Sequence, residues 1–108
     1  MRAILSMRTR FGRNSALNIR LTPTAVDDLK ALRAYIAQFN ATAAERILAR
    51  IQQSILLLAE FPNAGREGAV TGTREFSIPN LAHIIVYRIA SATDLDVLSV
   101  LHERRQYP

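Results

Sequence analysis

TREFSIPNLAHIIVYRIASATDLDVLSVLHERRQYP, residues 73–108, reads as three short strands joined by tight turns and closed by a charged tail with a tyrosine. Residues 73–78 place Phe76 and Ile78 on one face, with Glu75 and Ser77 on the other. Pro79-Asn80 supplies the bend, because proline fixes φ and asparagine tolerates turn geometry. The next run, 83–89, is apolar on both faces: Ile84 and Val86 point one way, Ile85, Tyr87 and Ile89 the other. The run 94–102 repeats the pattern, with Leu95, Val97 and Leu101 opposed to Leu98 and Val100. A strand apolar on both faces belongs in the middle of a sheet that is covered on both sides.

Working back along the chain, residues 63–72 hold three of the four glycines and read as a surface loop. Ahead of it lie two amphipathic helical patterns. Thr22-Pro23 is a helix start, with threonine as the cap and proline at the first helical position. Val26, Leu29, Leu32, Ile36 and Phe39 then recur at three and four. Thr42 with Glu45 fits a capping box, with Asn40 as a rival cap, and Ile47, Ile51, Ile55 and Leu58 form the second stripe. Phe61-Pro62 ends that helix. Leu17, Ile19 and Leu21 alternate with polar residues and predict a first strand with one buried face. The order is β-α-α-β-β-β, an α+β domain with a helical hairpin packed on one face of a mainly antiparallel sheet. The other face is left apolar and uncovered, the mark of a partner site. Which of the alternating sets points outward stays open at this level.

The chain has 108 residues, enough for one core. Without cysteine it has neither disulfides nor thiolate metal sites, and the spacing of His83 and His102 supports no metal. No cofactor is expected. No apolar run approaches the roughly 20 residues of a membrane span, so a cytoplasmic protein without a membrane partner is expected.

The net charge of +5 is unevenly spread: Arg2, Arg8, Arg10 and Arg13 fall in the first fourteen residues, which contain no acid. Residues 15–108 carry ten basic and nine acidic groups. Residues 1–14 therefore read as a basic, disordered tail, with Met7 an alternative start, and 15–108 as a single domain. A nearly neutral body is a poor footprint for nucleic acid, and no direct binding by it is expected.

Several short stretches carry a resemblance: Leu21-Thr22 with Ala25, Asp28-Leu29 and Tyr35-Ile36; Ala43-Ala44 with Arg46; and Phe61-Pro62 with Gly65-Arg66. Gly72-Thr73-Arg74-Glu75, Ile85-Val86-Tyr87-Arg88-Ile89 and Val100-Leu101-His102 complete the set. In order and spacing they resemble the RelE/ParE toxin superfamily, and the ParE branch above all. The resemblance implies the toxin of a type II toxin–antitoxin pair, wrapped by the C-terminal segment of its antitoxin in a hetero-oligomer. ParE-like members are typically poisons of DNA gyrase. RelE-like members, of similar fold, are ribosome-dependent mRNA endonucleases, which is the alternative reading. A third is a toxin fold that acts only as an interaction partner.

Whether the chain is an enzyme is left open. A metal-free ribonuclease needs a base, an acid and fixed cations around the phosphate. Arg74, Arg88, Arg104 and Arg105 are candidate cations, Glu75 and Glu103 candidate bases, and His102, Tyr87 and Tyr107 candidate acids. For a nuclease the set is Arg74, Arg88, His102 and Tyr107. The plainer readings are an Arg74 ion pair with Glu60 or Glu67, an exposed His83 without a role, and Asp27 and Asp28 opposing the helix dipole. For the antitoxin, the candidate contacts are Tyr87, Arg88, Arg104 and Arg105 at the rim of the open sheet face.

Overall fold

Thr22 turns the chain from strand to helix: its hydroxyl accepts the Ala25 amide at 3.1 Å and donates to the Leu98 carbonyl at 2.9 Å. One side chain thus caps a helix and ties it to the sheet, with Pro23 at the first helical position. Strands β1 (Leu5–Met7) and β2 (Asn18–Leu21) precede this point. Helices α1 (Pro23–Ala37) and α2 (Ala41–Glu60) follow it. Strands β3 (Arg66–Glu67), β4 (Arg74–Ser77), β5 (His83–Ile89) and β6 (Asp94–His102) complete the order. The computed structural model describes residues 16–103 and the backbone of 5–7.

Among the described residues the sheet has six strands in the order β1-β2-β6-β5-β4-β3. All neighbours are antiparallel except β2 and β6, which run parallel from Asn18↔Asp94 to Leu21↔Val97. The α+β architecture is the expected one, a helical hairpin on one face of a mainly antiparallel sheet. Strand β1 was not anticipated: within the segment read as a disordered tail, Leu5–Met7 pairs with β2. The short β3 extends the opposite edge within the glycine-rich loop.

The helical hairpin packs through α2 more than α1. Ile51, Ile55, Leu58 and Ala59 of α2 are buried against Ile19, Leu21, Ile85, Tyr87, Leu95, Val97 and Val100. From α1 only Ala25 is fully buried, while Val26, Leu29 and Leu32 are half-buried against the same core. Phe39, read as part of the α1 stripe, is instead 74% exposed and stacks edge-on with Tyr35. The helix ends at Ala37, so Phe39 lies beyond the turn that would have aimed it at the core. Asn40, not Thr42, caps α2, through an Oδ1 bond to the Ala43 amide at 2.9 Å. Asp28 also departs from expectation: its carboxylate accepts the Val100 amide of β6 at 3.0 Å. It satisfies a backbone donor that β2, which ends opposite Val97, does not reach.

A β-bulge sets which side chains face the helices. Val86 pairs with Ser99 and Tyr87 with Val97, so Leu98 is an extra residue in β6. The bulge shifts the alternation by one, and Val100 joins Leu95 and Val97 in the core. This corrects the grouping of Leu101 with Leu95 and Val97: Leu101 pairs with Ile84 on the outer face. At the β4–β5 turn Asn80 takes φ 65°, the left-handed conformation expected after Pro79.

Candidate functional site

Two of the candidate site residues hold a loop. Tyr87 and Arg74 are cross-strand neighbours on the helix side of the sheet. The Tyr87 side chain has no exposed surface. Its hydroxyl donates to the Pro62 carbonyl at 2.6 Å and accepts the Gly65 amide at 2.9 Å. Arg74 donates from Nε to the Gly65 carbonyl at 3.1 Å and from Nη2 to the Asn63 carbonyl at 3.3 Å. The pair clamps the turn that follows α2. Tyr87 is therefore a structural residue and not the rim contact read from sequence, because the helix-facing register buries it. Among the described residues Arg74 pairs with backbone carbonyls and not with Glu60 or Glu67, the plainer of its two sequence readings.

Arg88 lies on the other face, one step along β5. There Arg20 of β2, Asp96 of β6 and Arg88 stand side by side, since Asp96 is the register partner of both arginines. Asp96 Oδ1 accepts from Arg20 Nε at 2.6 Å, and Oδ2 accepts from Arg20 Nη2 at 3.1 Å. Arg88 donates to Oδ2 from Nε and Nη2, both at 3.2 Å. Burial pushes the Asp96 carboxyl up, but the hydrogen bonds and charges of Arg20 and Arg88 outweigh it and hold the group below its ordinary value. Arg20 is raised in turn, first by its hydrogen bond to Asp96 and then by that charge.

The outer face is thus divided. Toward the His83 end it is apolar, with Ile84 buried and Val86 and Leu101 half-buried. Toward the other end it carries the Arg20–Asp96–Arg88 cluster, with Glu75 paired to Arg66 at 3.2 Å nearby. The face expected to be apolar with charges at its rim is therefore apolar at one end and bears ion pairs at the other.

His102 pairs with His83 across β5 and β6, ring centroids 5.3 Å apart and edge to face. His83 is half-buried, with Nδ1 enclosed and without a hydrogen-bond partner among the described residues, where an exposed side chain was expected. Burial lowers its pKa first and the neighbouring His102 lowers it further, against a smaller opposing effect of Glu103. Among the described residues no group of three or more His, Asp or Glu side chains is arranged to hold a metal. Nor is any helix there long and apolar enough to cross a membrane. Arg104, Arg105 and Tyr107 lie outside the described residues. Of the proposed nuclease set, Arg74 is committed to the loop, Arg88 to the opposite face, and His102 to the far end of β6. These three are not brought together.

Residues 19–107 match the family described as the ParE toxin of type II toxin–antitoxin system, parDE. The chain belongs to the ParE toxin family. Among relatives, it is 38% identical over 94 residues to Y4kP of Sinorhizobium fredii, a protein with a provisional toxin name; the match covers 87% of this chain and 96% of that one. It is 32% identical over 81 residues to Toxin RelE2 of Caulobacter vibrioides, covering 75% of this chain and 89% of that one. A chain of the chromosomal ParDE TA system from P. aeruginosa has the same fold at 19% identity and a TM-score of 0.72, over 83% of this chain and 98% of that one. The resemblance of the short motifs to this superfamily and its ParE branch therefore holds. Of the residues that carry the resemblance to this ParE-type toxin family, Pro62, Gly65 and Tyr87 meet at one clamp.

Sequence reasoning missed Arg20 and Asp96. Each carried a local signal: a charge flanked by apolar neighbours, Ile19 and Leu21 for one, Leu95 and Val97 for the other. Two such charges of opposite sign in strands of one sheet are natural partners, since a carboxylate buried as Asp96 is needs a cation beside it.

Proposed function

We propose that this ParE-type toxin poisons DNA gyrase in the cytoplasm and is neutralised by a co-expressed antitoxin whose C-terminal segment covers the outer face of the sheet. The observation that carries this reading is the family match over residues 19–107. The dispersal of Arg74, Arg88 and His102 supports it, because a metal-free nuclease needs its cations and acid on one phosphate. Residues 15–108 serve as one toxin domain, with the basic 1–14 segment ahead of it. The half-buried Val86 and Leu101 favour an apolar partner segment, and Arg104 and Arg105, which follow β6, are its proposed rim contacts.

The second reading, a ribosome-dependent mRNA endonuclease, draws on the likeness to the Caulobacter chain named Toxin RelE2. Induced expression separates the two. The gyrase reading expects arrested replication and a DNA-damage response while translated messages stay intact. Primer extension that finds codon-positioned cleavage, lost in Tyr107→Phe or Arg88→Ala, would overturn it.

A further inference from the structure

We infer that Arg20, Arg88 and Asp96 form a socket for a carboxylate of an acidic peptide segment lying along β5 on the outer face of the sheet. The inference rests on the antitoxin reading above and assigns that partner its charged anchor.

The charge balance comes first. Two guanidinium groups share the one carboxylate they contact, a local surplus of positive charge that Asp94, whose charge also acts on Arg20, offsets in part. The carboxylate is spent: Asp96 is 3% exposed, and both its oxygens accept from the arginines. The arginines are not. Each uses its Nε–Nη2 edge on Asp96, and among the described residues nothing accepts from Nη1 of either. Their side chains are 35% and 54% exposed, so donors remain available to solvent. Guanidinium groups already fixed by Asp96 lose little further freedom on binding, and their planar edges suit a carboxylate.

The surroundings decide which anion. Val86 lies two residues before Arg88 on the same face, half-buried like Leu101; Ile84, two before that, is 2% exposed and offers no contact surface. A strand advances about 3.4 Å per residue. A segment laid along β5 therefore meets apolar ground and reaches the arginines about 7 Å further on. That spacing suits a peptide with apolar side chains preceding an Asp or Glu. A nucleic-acid backbone fits poorly, because it calls for a run of cations. Arg66 on this face is already held by Glu75, and Asp94, two residues before Asp96, adds negative charge.

The test measures binding of the full chain to its purified full-length antitoxin across a salt series. Arg88→Gln is the informative variant, because Arg20 still holds Asp96 by two bonds. The expected result is a loss of roughly tenfold to a hundredfold in affinity with a shallower salt dependence. Replacing the partner's acidic residue by its amide should give the same loss, and the two changes together no more than either alone. If Arg88→Gln does not fold by circular dichroism, Arg88→Lys replaces it: it keeps the charge without the planar edge and should weaken binding by an intermediate factor. A complex indifferent to both variants overturns the socket and leaves the toxin reading standing. A wild-type chain that forms no complex with the antitoxin overturns both.

Discussion

The phenolic oxygen of Tyr87 accepts the amide hydrogen of Gly65 at 2.9 Å, and a Cβ at that glycine would stand 2.7 Å from the same oxygen. The site has no slack: the added carbon would also lie 2.9 Å from the Glu75 backbone carbonyl. The glycine is required here by close approach of the strand pair below it, not by its own φ.

Gly65→Ala is therefore expected to cost about 1–3 kcal/mol as an overpacking change. Tyr87→Phe, which strips the Gly65 amide of its acceptor, should cost about 1–3 kcal/mol. Urea denaturation reads both. Because Tyr87 is buried, its loss should leave antitoxin affinity unchanged in the folded variant. Weakened binding with an unaltered denaturation midpoint would return the tyrosine to the partner surface.

The hairpin core gives the second expectation. Ile51 and Ile55 are each 1% exposed, and truncating either to alanine should cost about 2–5 kcal/mol. Phe39→Ala, at an exposed ring beyond the end of α1, should stay within about 0.5 kcal/mol. Equal losses at Phe39 and Ile51 in thermal melts would mean the helices present another face to the sheet.

The third concerns acid. His83 has a folded pKa below its ordinary 6.5, so the unfolded chain takes up the proton first. Stability contributed by this group is complete above pH 6.5 and falls as pH drops from there toward the folded value. Asp96 acts lower, where protonation begins to break its arginine pairs below its ordinary 3.8. Melting temperatures at pH 7.5 and 5.5 should differ more for the parent chain than for His83→Gln. An identical drop in both would exclude His83 as the source.

What was legible in the sequence was local. Thr22-Pro23 states its own cap geometry, the α2 stripe follows from 3.6-residue spacing, and Pro79-Asn80 announces its turn. What was hidden depends on pairing over distance. The Arg20–Asp96 contact requires a parallel register between strands, and parallel pairing leaves no turn sequence to betray it. The Leu98 bulge carries no glycine or proline, so strict alternation misplaced Val100 and Leu101. Tyr87 reads as a candidate acid and rim contact because alternation alone leaves the outward set open. Its partners are backbone groups of a loop more than twenty residues earlier, which residue type alone does not reveal.

The pairing of β2 with β6 has a consequence for how the toxin is made. Arg20 and Asp96 are 76 residues apart, and β6 sits inside the sheet between the early β2 and the later β5. Of the described elements, this interior strand leaves the ribosome last. A nascent chain can form its helical hairpin during elongation, but the sheet waits until β6 has emerged. Contacts of such long sequence separation also form slowly. The wiring thus places an interval between synthesis of the chain and a finished toxin. Stopped-flow refolding measures the length of that interval.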